Sequence, residues 1–495
     1  MKIRGGSRPV SSRTSKSLTF HLRTQRQKVV DWCWFWTARP KRCSGLALHT
    51  NTKLGSGTRV QSMYLGLDFG TSGARAIVID EDESIVHSEK VEYGAGKVKA
   101  DDAGGGNCST WEAALFKLLG NIPGNVSREL RAICIDGTSS TSFLVNRNDW
   151  TIQSRPLLYN FAAETSTVNR VKEIAPEGNI TISSTSTLCK LFTWLYEDGI
   201  PRSDDLLLLH QADWLSSLLL EQPDKAGVSD YNNALKLGYD PGIKDYPEWM
   251  KSRDFASILP QTILAPSTPI GYVSPSISDR YGINGECQVA AGTTDSIAAF
   301  LAAGASDPGE AVTSLGSTLA IKALSTKRVD NLKYGIYSHK LWGDLWLAGG
   351  ASNTGGAVLR KYFSDEQLAE LSSKIDVKST PQTGLNYYPL LTPGERFPIA
   401  DPNLEPKLDP RPADDTLFLH GILEGIAEIE KLSFDLLQEE GCSTLTRVMT
   451  CGGGSKNSVW TQMREILLGV PVSSADNTEA AFGSARLAQR SQLGK

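Results

Sequence analysis

The chain has no apolar run approaching the roughly 18 residues needed to span a bilayer. Its longest apolar clusters, Leu206–Leu209 and Leu215–Leu220, are short and broken by polar residues, as core elements are. No membrane partner is expected. Paired cysteine signals are also missing. Of the eight cysteines two lie in the first 62 residues, and Cys108, Cys134, Cys189, Cys287, Cys442 and Cys451 are scattered without a C-x-x-C pair. That spacing disfavours a disulfide or zinc framework and leaves reduced core thiols as the default. Acidic residues are almost absent from residues 1–62, where 13 Lys and Arg face a single acid, Asp31, for a net +12. The same segment carries eight Ser and seven Thr. This composition resembles an organelle transit peptide, with plastid favoured over mitochondrion. A disordered basic arm, or upstream sequence included by a doubtful start codon, is the other reading, with cytoplasm as the alternative location. The remaining residues, 38 basic against 54 acidic, carry −16, which argues against a nucleic-acid backbone as the main partner.

What is present is ordinary for globular proteins: 40% hydrophobic and 21% charged residues. A length of 495 residues exceeds a single core, so two or three domains are expected. Compact structure should begin near Ser62, with strands at Tyr64–Asp68, Ala74–Asp80 and Ser84–Tyr93. "STWEAALFKLLGNI" reads as a helix capped by Ser109 or Thr110. "LRAICIDGTSSTSFLVN" (Leu130–Asn146) reads as strand, turn and strand, a second hairpin. "CQVAAGTTDSIAAFLAAG" reads as a buried strand, a Gly-Thr-Thr-Asp turn and a small-residue helix, and "EAVTSLGSTLAIKAL" as another hairpin. Gly70–Gly73 and Gly316–Thr318 each close a hairpin, a weak internal duplication. Later, "TLFLHGILEGIAEIEKLSFDLLQEEG" places Leu419, Leu423, Ile426, Ile429 and Leu432 along one side of a helix. The halves should divide near Ala303–Pro308.

Four stretches carry chemistry. "LDFGTSGAR" is neither a G-x-x-x-x-G-K-[ST] loop nor a G-x-G-x-x-G turn. Its glycines permit a sharp turn, whose backbone N–H groups with the Thr71 and Ser72 hydroxyls can cradle an anion. A carboxylate beside phosphates, Asp68, makes sense if Mg²⁺ lies between them. Alone, the stretch reads first as a glycine-rich hairpin. Asp295, after Gly292-Thr293-Thr294, is either a helix N-cap or a general base aimed at a substrate hydroxyl. Gly316-Ser317-Thr318 offers another phosphate-sized turn. Gly452–Asn457, "GGGSKN", precedes a helix, and its glycines would let a flat ring lie on the backbone.

Together, in this order, the four stretches resemble the FGGY carbohydrate kinases of the actin-like ATPase superfamily, from about Tyr64 to Leu487. "GVSDYNNALKLGYD" and "TEAAFGSARLA" add to the resemblance. It implies an α/β fold of two ribonuclease-H-like domains around a central cleft. Residues 63–303 would hold the sugar and first phosphate loop, and residues 304–495 the nucleotide, with residues 1–62 as leader. It implies ATP and Mg²⁺ as cofactors and Asp295 as catalytic base. Asp68 and Asp295 would hold Mg²⁺, partly through water. Asp68, Ser72, Gly73, Ala74, Arg75, Ser139 and Asp295 would meet the sugar. Thr71, Gly316, Ser317, Gly356, Gly453, Gly454, Ser455, Lys456 and Asn457 would meet ATP.

Many members of the family read the sugar with W-x-D-x-R. Here "LLYNFAAETS" puts Tyr159, Phe161 and Ala163 at those positions. K-L-x-W is likewise altered, because "CKLFTWL" has one extra residue between Lys190 and Trp194. "DGTS" followed by an apolar strand is similar to ribulokinase-type members. With its plastid-like leader, the chain resembles the plant plastid xylulose/ribulose kinase-like branch. The resemblance implies a ketopentose substrate, D-ribulose ahead of D-xylulose. A sugar- or nucleotide-binding protein with vestigial catalysis is the alternative of another class.

Overall fold

The computed structural model describes residues 61–94, 98, 106–221, 227–380 and 382–493. The basic leader lies outside the described residues, except for its last two positions. The architecture is mixed α/β, built on two six-stranded sheets.

The first sheet begins with an antiparallel meander of β1 (Met63–Phe69), β2 (Gly73–Ile79) and β3 (Ile85–Glu92). β4 (Leu130–Gly137) then pairs parallel to β1. The excursion that follows carries two small ladders. β5 (Ser142–Asn146) pairs antiparallel with β6 (Leu206–His210), and β7 (Val228–Asp230) pairs parallel with β8 (Thr262–Leu264). β9 (Pro269–Tyr272) and β10 (Gln288–Thr294) complete the first sheet, in the order β3-β2-β1-β4-β10-β9. β1, β4 and β10 run parallel and are buried almost throughout, which explains their near-continuous apolar sequences.

The second sheet repeats the plan. β11 (Glu310–Leu315), β12 (Leu319–Ser325), β13 (Tyr337–Lys340) and β14 (Trp346–Ala351) form its antiparallel part. β15 (Arg447–Cys451) and β16 (Val472–Ser474) add parallel strands beside β11. The order is β13-β14-β12-β11-β15-β16.

Small residues permit the closest contacts. A Cβ on Gly66 of β1 would stand 2.0 Å from Ala481 O, and one on Gly483 would stand 1.8 Å from Ala298 O. The chain's last helix, Ala480–Arg490, therefore lies directly on β1 and against the helix Asp295–Ala302. It returns from the second half of the chain to pack on the first sheet. Ile297 and Phe300 join Val312, Leu324, Leu347 and Met449 in one buried cluster between the two sheets.

Three local expectations need correction. The first helix runs Gly106–Asn121, so Ser109 and Thr110 lie inside it and do not cap it. β4 and β5 do not form a hairpin. β4 is claimed by β1 and β10, while β5 turns away to pair with β6. Leu432 is exposed although Leu419, Leu423, Ile426 and Ile429 are buried. Each residue turns an α-helix by about 100°, so the three successive steps of three from Leu423 carry Leu432 half-way round. The buried stripe of the helix Asp415–Glu439 continues instead through Ser433 and Leu437.

Candidate active site

The parallel strands β1, β4 and β10 end side by side, and each ends near an acid. Asp68 is the register partner of Asp136 on β4, and Thr293 pairs with Asp136 from the other side, two residues before Asp295. The carboxyl ends of parallel strands are where open α/β sheets bind ligands. Three carboxylates thus share one sheet edge.

Asp68 is buried, and its carboxylate accepts from Arg75 Nη1 at 3.1 Å. Burial raises its pKa, while Arg75 opposes the shift. Arg75 Nε also reaches Glu479 at 3.3 Å. Asp136 is fully buried, and Ser484 Oγ of the last helix donates to it at 2.5 Å. Burial, reinforced by the charge of Asp68, pushes the Asp136 carboxyl well above the ordinary range. Its carboxyl also shares a side-chain hydrogen bond with Asp68. Asp295 is half-buried and opens the helix Asp295–Ala302, with Thr294 at the cap position. Its Oδ1 accepts from Ser296 N at 2.6 Å. Burial raises its pKa, the Ser296 amide opposes, and the charge of Asp68 adds to the rise. Among the described residues no ion pair engages it. That leaves a carboxylate free to take a proton, as a general base needs.

The turn between β1 and β2 is closed by Gly70 N donating to Gly73 O. The side chains of Thr71 and Ser72 are exposed on it. A Cβ on Gly73 would stand 2.5 Å from Val91 O, so only glycine fits against β3. Ala74 is fully buried, and its side chain belongs to the core rather than to a sugar contact.

The 138–141 loop after β4 is tightly knit. Thr138 N and Oγ1 both donate to Gln211 Oε1 at 3.0 Å. Ser139 is half-buried in this loop. Ser140 takes a left-handed φ of 62°, and its buried hydroxyl has no partner among the described residues. Lys190, fully buried, donates to Ser140 O and to Leu158 O, each at 2.6 Å. Burial lowers its pKa to about 7, with Lys236 adding to the fall. It thereby ties the loop to the stretch where Tyr159 is exposed and Ala163 buried. The extra residue before Trp194 is taken up by one turn of π-helix, Thr193–Glu197. Trp194 stays buried, donating from Nε1 to Arg155 O at 3.0 Å.

The second sheet presents a different edge. A cavity of about 790 Å³ opens at the ends of β11 and β15, lined by Gly316, Ser317, Gly356, Gly453, Gly454, Lys456 and Asn457 among others. Gly356 N donates to Gly316 O at 2.9 Å, and a Cβ on Gly356 would stand 2.6 Å from that oxygen. Asn457 Oδ1 caps the helix Ser458–Leu468 through Trp460 N, and its Nδ2 donates to Ser372 Oγ. Ser455 turns its hydroxyl back onto Gly452 O at 2.8 Å and does not line the cavity. Thr71 sits apart on the first sheet's turn.

Sequence reasoning missed three residues. Asp136 had a signal, an acid closing an apolar strand ahead of glycine, as Asp68 does. Lys190 was noticed only as part of an altered motif. Asn232, whose Nδ2 donates to Thr293 Oγ1 at 2.9 Å and whose buried Oδ1 has no described partner, had none. The six cysteines of the described residues are free thiols.

Comparison with known proteins follows this geometry. Residues 311–491 match the family described as the FGGY family of carbohydrate kinases, C-terminal domain. The chain is 24% identical to a xylulose kinase from Haemophilus influenzae, covering 85% of this chain and 88% of the relative. It is 22% identical to a gluconokinase from Bacillus subtilis, covering 81% and 82%. A solved xylulose kinase from Brucella ovis superposes with a TM-score of 0.71 at 21% identity, covering 88% of this chain and 91% of that one. Residues 311–491 are thus similar to the C-terminal domain of the FGGY family of carbohydrate kinases, and the chain shares the two-domain α/β fold of a solved xylulose kinase.

Proposed function

We propose that this chain is an ATP-dependent sugar kinase acting on a ketopentose, D-ribulose ahead of D-xylulose. The observation that carries the reading is the pairing of two edges. One bears Asp68, Asp136 and Asp295, with Asp295 free of ion pairs among the described residues; the other is a glycine-lined cavity of nucleotide size. Relatives named for xylulose and gluconate support a small polyhydroxylated substrate.

Phosphoryl transfer asks the protein mainly for positioning and charge stabilisation. The Gly316–Ser317 turn, Gly356 and the Gly453–Asn457 segment would seat the nucleotide. Thr71, Ser72 and Gly73 would meet the transferred phosphate from the opposite side. Ser139, held in place through Lys190, would hydrogen-bond the sugar. Asp295 would take the proton of the attacking hydroxyl as its oxygen bonds to the γ-phosphorus and the bond to ADP breaks. Among the described residues no group of three or more metal-ligating side chains forms a metal cage. Mg²⁺ carried by a nucleotide needs only one or two carboxylates, a requirement that Asp68 and Asp295 fit. Bound there, it would neutralise charge on the phosphates.

Sugar-dependent ADP release tests the reading, with a panel of ketoses, aldoses and polyols and sugar phosphate detected by mass spectrometry. Release should appear with D-ribulose or D-xylulose and collapse in Asp295→Ala while nucleotide binding persists. If no sugar stimulates release, the kinase reading fails. A pentulose that raises the melting temperature without forming sugar phosphate would favour a binding protein. The leader composition supports a plastid protein. Import of the full chain, but not of one lacking residues 1–62, into isolated plastids is the expected result.

A further inference from the structure

A second large cavity lies on the second sheet, lined by none of the residues assigned to the transfer, although the charge of Lys322 acts on Asp295. It measures about 800 Å³ and shares no lining residue with the nucleotide cavity. Leu319, Ile321 and Ala323 of β12 pack in the cluster around the long helix Asp415–Glu439, so Lys322 projects from the opposite face. His339 and Tyr337 line the same cavity from β13. Lys333, Tyr334 and Arg396 supply its walls from neighbouring loops.

Its chemistry is cationic and aromatic. Lys322, Lys333 and Arg396 face a single lining carboxylate, Glu395. That carboxylate is already engaged by Ser352 Oγ, Asn353 N and Tyr388 OH. Among the described residues no carboxylate pairs with Lys333 or Arg396, and both are exposed. His339 is only 8% exposed, yet its Nδ1 has no hydrogen-bond partner among the described residues. That nitrogen is closed to solvent, so His339 lines the cavity through the rest of its ring. The Tyr337 ring lies 5.2 Å from the His339 ring, tilted by 57° to it, giving an angled aromatic wall for a carbon skeleton.

We propose that this cavity is a second small-molecule site whose ligand is a phosphorylated sugar. Lys322, Lys333 and Arg396 would meet the phosphate, and His339 and the tyrosines the sugar. Lys322 also links the cavity to the first sheet's edge, since its Nζ donates to Ser296 O at 2.8 Å, next to Asp295. A bound phosphate would compete with that carbonyl for the Lys322 ammonium and loosen the helix start that carries Asp295. Occupancy would therefore lower turnover. That consequence rests on the kinase reading, whereas the binding itself does not.

The test is calorimetric titration of the full chain, first saturated with a non-hydrolysable ATP analogue, Mg²⁺ and D-ribulose. D-Ribose 5-phosphate is the probe, with inorganic phosphate and D-ribose in parallel. The expected result is that D-ribose 5-phosphate binds the loaded protein more tightly than either comparison compound. The double variant Lys333→Ser/Arg396→Ser should weaken that binding at least roughly tenfold, because two charge-assisted contacts are lost. Its melting temperature and its activity without sugar phosphate should match the parent. No binding to the loaded protein, unchanged binding in the double variant, or equal affinity for inorganic phosphate would each overturn the proposal.

Discussion

The two sheets share a plan and divide the chemistry. Each opens with a hairpin closed by glycine and hydroxyl residues, followed by parallel strands. On the first sheet the parallel strands end in acids: Asp68, Asp136 and Asp295. On the second they end in glycines and amides: Gly316, then Gly453 to Asn457. Carboxylates can accept a proton or hold a cation. Glycine-lined turns and amides carry no negative charge and so suit an anionic or neutral acceptor. Under the proposed function, one scaffold would serve both partners of a transfer, with the residues at its strand ends deciding which partner goes where.

The sharpest way to break this comparison is to remove the base. Asp295→Asn should lower sugar-dependent ADP release by about 10²–10⁴-fold, the usual contribution of a general base. Affinity for the nucleotide without Mg²⁺, measured by calorimetry, should stay unchanged because that cavity belongs to the other sheet. Loss of nucleotide binding would show that the two edges are not separate in function. The pH profile follows from the same carboxylate. Burial raises the pKa of Asp295, so its ionised, active form is lost as pH falls through a value above the usual 3.8. The kcat/KM profile of the parent should therefore show an acid limb above that value, and Asp295→Asn should flatten it.

Gly483→Ala probes the first sheet alone. The added Cβ would meet Ala298 O, so the last helix must shift, at a cost of about 1–3 kcal/mol of stability. Denaturant midpoints measure it, and nucleotide affinity should be spared. Gly356→Ala probes the second sheet. Its Cβ would press on Gly316 O, spread the phosphate-side turns and weaken nucleotide binding about tenfold. The smallest effect is expected for Ser139→Ala. Losing one hydrogen bond to the sugar, about 0.5–1.5 kcal/mol, should raise the sugar KM roughly two- to tenfold with kcat nearly constant.

The local structure of the proposed nucleotide side was legible in the sequence because it is built between neighbouring elements. Gly70–Gly73 and Gly316–Thr318 close hairpins between neighbouring strands, and Gly452–Asn457 joins a strand to the helix that follows it. The proposed sugar side was less legible. "LRAICIDGTSSTSFLVN" has the pattern of a hairpin, yet β4 finds partners in β1 and β10, and β5 pairs with β6 far downstream. Local pattern cannot choose among distant strands. Lys190 read as part of a weakened motif, and only its burial against two carbonyls shows it holding the loop of Ser139.

The sequence by itself determined the turns, the acids that close apolar strands and the small residues that let helices pack closely. Those depend on glycine's missing Cβ and on the alternation of apolar and polar positions, which act within a few residues. Tertiary structure alone decided which acids meet. Asp136 joins Asp68 and Asp295 only because β4 lies in register between β1 and β10, and Ser484 reaches Asp136 only because the last helix returns to the first sheet. The physical reason is that strand register and helix docking are set by contacts between residues far apart in the chain.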